Sequence, residues 1–140
     1  MKFEEKKMNL FEVPKEYHLA HCISSDCAMG AGIAVEFQKR FRLKSYLLSL
    51  PEEQRKHPTS VYASEVFNLI TKKYYYNKPT LESLTEAIKV MKNQAVLLDI
   101  HKIAMPKIGC GLDRLNWCQV REVIKEIFKD TDIEILVCSL

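Results

Sequence analysis

At 140 residues the chain has the length of one domain and leaves no room for a second of ordinary size. Its 47% hydrophobic and 28% charged residues exclude a disordered or fibrous chain and supply enough apolar side chain for a single core. Lys and Arg total 21 against 18 Asp and Glu, and the resulting charge of +3 is too small and too dispersed to be a footprint for duplex DNA.

The opening MKFEEKKMNLFEVPKEY alternates charged and apolar residues without a long apolar run, so it reads as neither a signal peptide nor a membrane span. An intracellular setting is expected, cytoplasmic in the first place, with the nucleus left open. The five cysteines are an odd set and read as reduced thiols. Cys22 and Cys27 stand near His18 and His21, but no CxxC pair or second ligand pair of regular spacing accompanies them, and no metal is expected.

Tyr17 to Ile23 (YHLAHCI) is a short apolar run that predicts a strand. The loop SSDCAMGAG follows it, and then IAVEFQKRF, whose Ile33, Phe37 and Phe41 recur at helical spacing. A second short helix is expected over Leu43 to Leu50, and Pro51 and Pro58 bracket a polar loop. Ser60 to Thr71 (SVYASEVFNLIT) is rich in β-branched and aromatic residues and reads as one bent strand or a tight pair. Pro79 and Thr80 open a helix whose apolar face is Leu81, Leu84, Ile88 and Met91, running to about Gln94. Lys102 to Pro106 is a short strand ending at a second glycine loop, Ile108 to Asp113. A helix from about Asn116 to Lys129 buries Val120, Val123, Ile124 and Ile127, and IEILVCSL is a closing strand. Strands interleaved with helices call for an α/β sheet covered on both faces.

All four glycines fall in two G-x-G pairs, Gly30 with Gly32 and Gly109 with Gly111. Each pair follows an apolar strand and precedes a helix, where α/β proteins bind ligands at the carboxyl ends of their strands. Glycine there permits positive φ and removes the Cβ that would hold a ligand off the backbone N–H groups. The helix after the first loop offers free N–H donors and a partial positive charge to a diphosphate. Each pair also suits a tight turn, but the concentration of every glycine in these two places favours a ligand. Neither loop carries G-x-G-x-x-G or the Walker lysine, which disfavours a dinucleotide dehydrogenase or a P-loop NTPase.

The strings AHCISSDCAMGAGIA (Ala20 to Ala34), NLITKK (Asn68 to Lys73), KPT (Lys78 to Thr80) and AMPKIGCGLDRLNW (Ala104 to Trp117) closely resemble the macrodomain family, in its subgroup of ADP-ribosyl-glutamate hydrolases. The likeness runs from about Asn9 to Leu140. It implies one domain over residues 1–140, an α/β/α sandwich of three layers around a mixed central sheet, with ADP-ribose in a cleft above it. The first loop (Met29, Gly30, Ala31, Gly32, Ile33) and the second (Lys107, Ile108, Gly109, Cys110, Gly111, Leu112) would hold the diphosphate and distal ribose. Ser24 would approach that ribose, and Leu140 and the Leu10 backbone would border the adenosine. Most macrodomains carry an aspartate, accepting from the adenine amino group, where this chain has Asn9; asparagine keeps a carbonyl acceptor but gives up the charge.

The resemblance assigns Lys72 and Asp113 to catalysis: release of ADP-ribose from mono-ADP-ribosylated glutamate or aspartate, with deacylation of O-acyl-ADP-ribose. No cofactor is implied, ADP-ribose being ligand and product. The partners implied are mono-ADP-ribosylated proteins, with no membrane and a monomeric chain. The chemistry is coherent: a lysine attacks an anomeric carbon only as a free amine, which a neighbouring cation or desolvation promotes, and Lys73 is adjacent. A carboxylate on the facing loop then moves protons as general base and acid. Without the family, TKK at a strand end reads as solvated and Asp113 as a helix N-cap. Alternatives are a non-catalytic ADP-ribose reader, which needs neither residue, and a hydrolase of ADP-ribosylated nucleic-acid bases.

Overall fold

A computed structural model describes residues 1–140. Six strands form one sheet: β1 (Lys2–Lys7), β2 (His18–Ser24), β3 (Thr59–Ala63), β4 (Val66–Lys72), β5 (Lys102–Met105) and β6 (Glu134–Ser139). Their spatial order is β1-β6-β5-β2-β4-β3, parallel throughout except for the antiparallel pair β3/β4 at one edge. The four helices are α1 (Ile33–Phe41), α2 (Leu43–Ser49), α3 (Leu81–Leu97) and α4 (Trp117–Phe128).

The inner strands β2, β4, β5 and β6 are apolar on both faces because both faces are covered. Ala20, Phe67, Leu69, Ile103, Met105, Ile135 and Val137 pack under α3 and α4, against Leu84, Ile88, Met91, Val120, Ile124 and Phe128. The alternate residues, among them Leu19, Ile23, Val66, Ile70, Ala104 and Leu136, pack under α1 and α2, against Phe37, Leu43 and Leu47. The fold is therefore the expected α/β sandwich with a mixed sheet.

Local chemistry sets the boundaries. Thr80 and Ser83 form a reciprocal capping box at the start of α3. The segment from Ser60 to Thr71 resolves into a hairpin in which Ala63 pairs with Val66. Its two loop residues, Ser64 and Glu65, take positive φ of 52° and 62°, the twist that two-residue hairpins favour. The polar loop after Pro51 contains a turn of 3-10 helix, Glu52–Arg55. β1 was not foreseen. It is an edge strand paired with β6 alone, its charged residues facing solvent and Lys125 lying over the Phe3 ring, so no apolar run announces it.

Parallel pairing sends the carboxyl ends of β1, β6, β5, β2 and β4 to one end of the sheet. The chain leaves β2 toward α1 on one face and leaves β5 toward α4 on the other. Since β2 and β5 are neighbours, the two glycine loops diverge across the switch point of the sheet.

Candidate active site

A cleft of about 1310 Å³ opens over these strand ends. Every residue expected there lines it: Asn9, Leu10, Ser24, residues 29–33, Lys72, residues 107–113 and Leu140. Five cationic side chains, Arg40, Lys72, Lys78, Lys107 and Arg114, border it against the two carboxylates Glu36 and Asp113, so the cleft suits an anionic ligand.

The glycines divide into two kinds, one of each per loop. Gly32 and Gly109 have φ of +62° and +74°. At Gly109 a Cβ would stand 2.9 Å from Leu84 Cδ2 and 3.0 Å from Leu115 Cδ1. These two are required by the backbone and its packing. Gly30 and Gly111 have no positive φ, and a Cβ there would meet no atom closer than 4.0 Å. Nothing within the protein demands glycine at these two positions, yet both border the cleft, where a side chain would occupy ligand space. Gly32 caps α1 without a side chain and its carbonyl accepts from Val35 N–H, leaving the N–H groups of the lining residues Ile33 and Ala34 without a protein partner.

The first loop is braced from outside. The Ser24 hydroxyl donates to Asp26 Oδ1, and Asp26 Oδ2 accepts from Tyr75 N–H at 3.0 Å. Arg55 donates to Ser25 O at 2.8 Å. Cys27 and Met29 sit at φ of 55° and 44°, a conformation non-glycine residues rarely adopt. The second loop is tied down by Lys78, whose Nζ donates to Leu112 O at 2.8 Å. KPT thus places a lysine that holds the facing loop, a contact the sequence reading did not assign.

Between the loops Lys72 Nζ donates to Asp113 Oδ1 at 2.7 Å, and the two side chains are only 14% and 16% exposed. Asp113 is free for this because the N-cap of α4 is Asn116, whose side chain accepts from Gln119 N–H. Lys73 is not the neighbouring cation that was expected. Leaving the strand it turns outward, its Nζ lying 5.2 Å from the centroid of the Tyr74 ring, and it takes no part in lining the cleft. The charged neighbour of Lys72 is a carboxylate instead.

Cys22 and Cys110 also line the cleft, but burial, reinforced by the Asp113 charge, pushes both thiols up, away from the thiolate form. The residues weighed as metal ligands separate: His18 hydrogen-bonds Tyr62 Oη, His21 hydrogen-bonds Asn68, and no cluster of three His, Cys, Asp or Glu forms. Seven residues of the lining lie outside the strings that carry the family resemblance and were missed: Met8, Phe11, Glu36, Arg40, Tyr75, Cys138 and Ser139; Arg114 lies inside one of those strings without an assigned role.

The family model of the Macro domain matches residues 20–124, most of the chain and both loops. The chain belongs to the macrodomain family. This macrodomain is 43% identical over 137 residues to ADP-ribose glycohydrolase OARD1 of Homo sapiens, an alignment covering 96% of this chain and 89% of that protein. It is 26% identical over 128 residues to the DNA ADP-ribosyl glycohydrolase of Thermus aquaticus, covering 84% of this chain and 35% of that protein. Among solved structures, the macrodomain of Thermus aquaticus DarG superimposes with a TM-score of 0.86 at 24% identity, over 99% of this chain and 98% of that one.

Proposed function

We propose that this macrodomain hydrolyses the ester between the distal ribose of ADP-ribose and a protein glutamate or aspartate side chain, and that it deacylates O-acyl-ADP-ribose at the same site. The observation that carries the reading is the shielded Lys72–Asp113 pair in the cleft that the two glycine loops line. The 43% identity to a protein named ADP-ribose glycohydrolase supports the same class of reaction. ADP-ribose is a chain of distal ribose, diphosphate and adenosine. With the ribose at Lys72 and Asp113 and the diphosphate between the glycine loops, the adenosine extends toward Asn9, Leu10 and the outer turns of α1.

Asp113 takes a proton from Lys72 through their hydrogen bond, and the freed amine attacks the anomeric carbon. The bond from that carbon to the ester oxygen breaks, its electron pair leaving with the carboxylate. The bond from the anomeric carbon to the ring oxygen then breaks, Asp113 relaying a proton from the nitrogen to that oxygen, and the sugar opens to an imine on Lys72. Water then adds to the imine carbon, Asp113 moving the proton, and ADP-ribose and free lysine are released. Lys78 and the open N–H groups of α1 hold the second loop and the diphosphate still meanwhile.

A second reading, hydrolysis of ADP-ribose from a nucleic-acid base, is favoured by one observation. Tyr74 and Tyr76 stack with centroids 5.3 Å apart beside Tyr75, which lines the cleft mouth and is 66% exposed, so a base next to the modified one would find aromatic surface there. One experiment separates the readings. The wild-type protein, Lys72→Ala and Asp113→Ala are incubated with glutamate-linked mono-ADP-ribosylated protein and with ADP-ribosylated single-stranded DNA, and free ADP-ribose is measured. Release from protein that both variants lose supports the first reading; release from DNA alone supports the second; binding without release makes the protein a reader.

A further inference from the structure

If the adenosine lies beyond the diphosphate, its base enters the part of the cleft bounded by Asn9, Leu10, Phe11, Glu36 and Arg40. The exocyclic amino group of adenine is a donor and needs an acceptor when covered. Two amide or carboxylate side chains line this end, Asn9 and Glu36. Asn9 is already engaged: its Oδ1 accepts from Phe11 N–H at 2.9 Å, capping the 3-10 turn Leu10–Glu12, and what the amide has left to offer is chiefly the donor group Nδ2.

Glu36 is differently placed. Its Oε1 accepts from Arg40 Nε at 2.8 Å, one helical turn on, while Oε2 has no partner. Arg40 is in turn fixed by the turn opposite, its guanidinium lying 4.5 Å from the centroid of the Phe11 ring. As an exposed pair at helical spacing these two side chains add little to stability. As a clamp they set a carboxylate across from the Asn9–Phe11 turn, and the arginine offsets the repulsion a bare carboxylate would exert on a diphosphate ligand.

We propose that Glu36, positioned by Arg40, reads the adenine amino group and makes this site selective for adenine over purines that lack it. The assignment rests on the ADP-ribose reading above and deepens it. Asn9 holds the turn against which the base lies, and the carboxylate that accepts from the base comes from α1.

The test is titration calorimetry of the wild-type protein, Glu36→Gln and Glu36→Ala with ADP-ribose and with inosine diphosphate ribose, in which a carbonyl replaces the amino group. Wild type should favour ADP-ribose by on the order of tenfold, the difference one hydrogen bond to a charged acceptor makes. Glu36→Ala should bind the two ligands within about twofold of each other, and Glu36→Gln, which keeps an uncharged acceptor, should fall between. Binding of the inosine ligand by each variant shows that it is folded. No preference in wild type, or a preference that Glu36→Ala retains, overturns the assignment while leaving the proposed function standing. Failure of wild type to bind either ligand overturns both.

Discussion

At one end of the cleft Lys72 and Asp113 stand on a strand terminus and a glycine loop, 14% and 16% exposed, whereas Glu36 and Arg40 at the other end stand on one face of a helix, 39% and 45% exposed. The end proposed to react has its loops tied down by hydrogen bonds that engage backbone groups: Lys78 donates to Leu112 O, Arg55 donates to Ser25 O, and Tyr75 N–H donates to Asp26. The base end is held by side chains, Arg40 bridging Glu36 and Phe11. The proposed bond-breaking requires groups placed within fractions of an ångström, and Lys72 and Asp113 sit on segments that suit that demand. Recognition of a base tolerates more variation, and an exposed helix face can change its acceptor without disturbing the sheet beneath.

The largest effect should come from breaking the reacting end. Asp113→Ala removes the proton carrier and the partner of Lys72 together, and turnover should fall by on the order of 10²- to 10⁴-fold while ADP-ribose still binds. Mass spectrometry of that variant, trapped on substrate by reduction, should find the added sugar on the peptide containing Lys72. An adduct on another residue, or none, would leave Lys72 an electrostatic role. Undiminished turnover in Asp113→Ala would remove both residues from the mechanism.

The glycines test where the two ends meet. Gly111→Val puts a side chain into space that is open in the protein, and it should weaken ADP-ribose binding tenfold or more, on the order of 1.4 kcal/mol, with little change in Tm. Gly109→Ala should do the reverse, costing about 1–3 kcal/mol of stability through its positive φ and the crowding of Leu84 and Leu115. Equal loss of stability in both would mean that the second loop is glycine-rich for folding alone.

The base end rests on α1, whose seat on the sheet includes His21, stacked 3.8 Å from the Phe37 ring and donating from Nε2 to Asn68 Oδ1 at 2.7 Å. Burial pushes its imidazolium form down to about 4. The unfolded chain, with histidine near 6.5, therefore takes up a proton that the folded chain refuses, and stability is lost as pH falls from about 6.5 to about 4. The loss from this one group is on the order of 3 kcal/mol and stops below the folded value. His101, held up by Asp99 and Asp132, acts with the opposite sign from the surface. Urea unfolding across this range, paired with an NMR titration of His21, checks the claim; an imidazole that titrates near 6.5 in the folded protein would refute it.

How far the sequence could be read follows the same division. The strands β2, β4, β5 and β6 and all four helices were visible because burial on both faces writes apolar runs and helical spacing into the chain. β1 was hidden because KFEEKK keeps its charges in solvent and is a strand only by pairing with β6. That Lys72 and Asp113 would border the cleft was legible only through the strings that carry the family resemblance, whereas the loops were legible also because glycine has few other reasons to be so concentrated. Glu36 and Arg40 were not legible, since a Glu and an Arg four residues apart on an amphipathic helix read as an ordinary solvated pair. Lys73 was misplaced for a geometric reason: side chains of successive residues at a strand end point to opposite sides, so adjacency in sequence sent it away from Lys72.

The smallest effect, and the one that sharpens the contrast most, is at Asn9. Asparagine caps the turn through Oδ1 and leaves Nδ2 as its second polar group. Asn9→Asp preserves the cap, because aspartate serves there equally well, and replaces the donor with a second acceptor. Adenine's amino group has two N–H bonds, so the introduced carboxylate and Glu36 would each accept one. Binding of ADP-ribose should tighten several-fold, on the order of 1 kcal/mol, and the gain is limited by the larger hydration a carboxylate gives up when the base covers it. Ribose 5-phosphate, which has no base, should bind both proteins alike. Calorimetry with the two ligands decides the matter. Tightening confined to ADP-ribose places the base against Asn9, whereas equal affinities, or a change shared by the ligand without a base, would leave Asn9 a capping residue and nothing more.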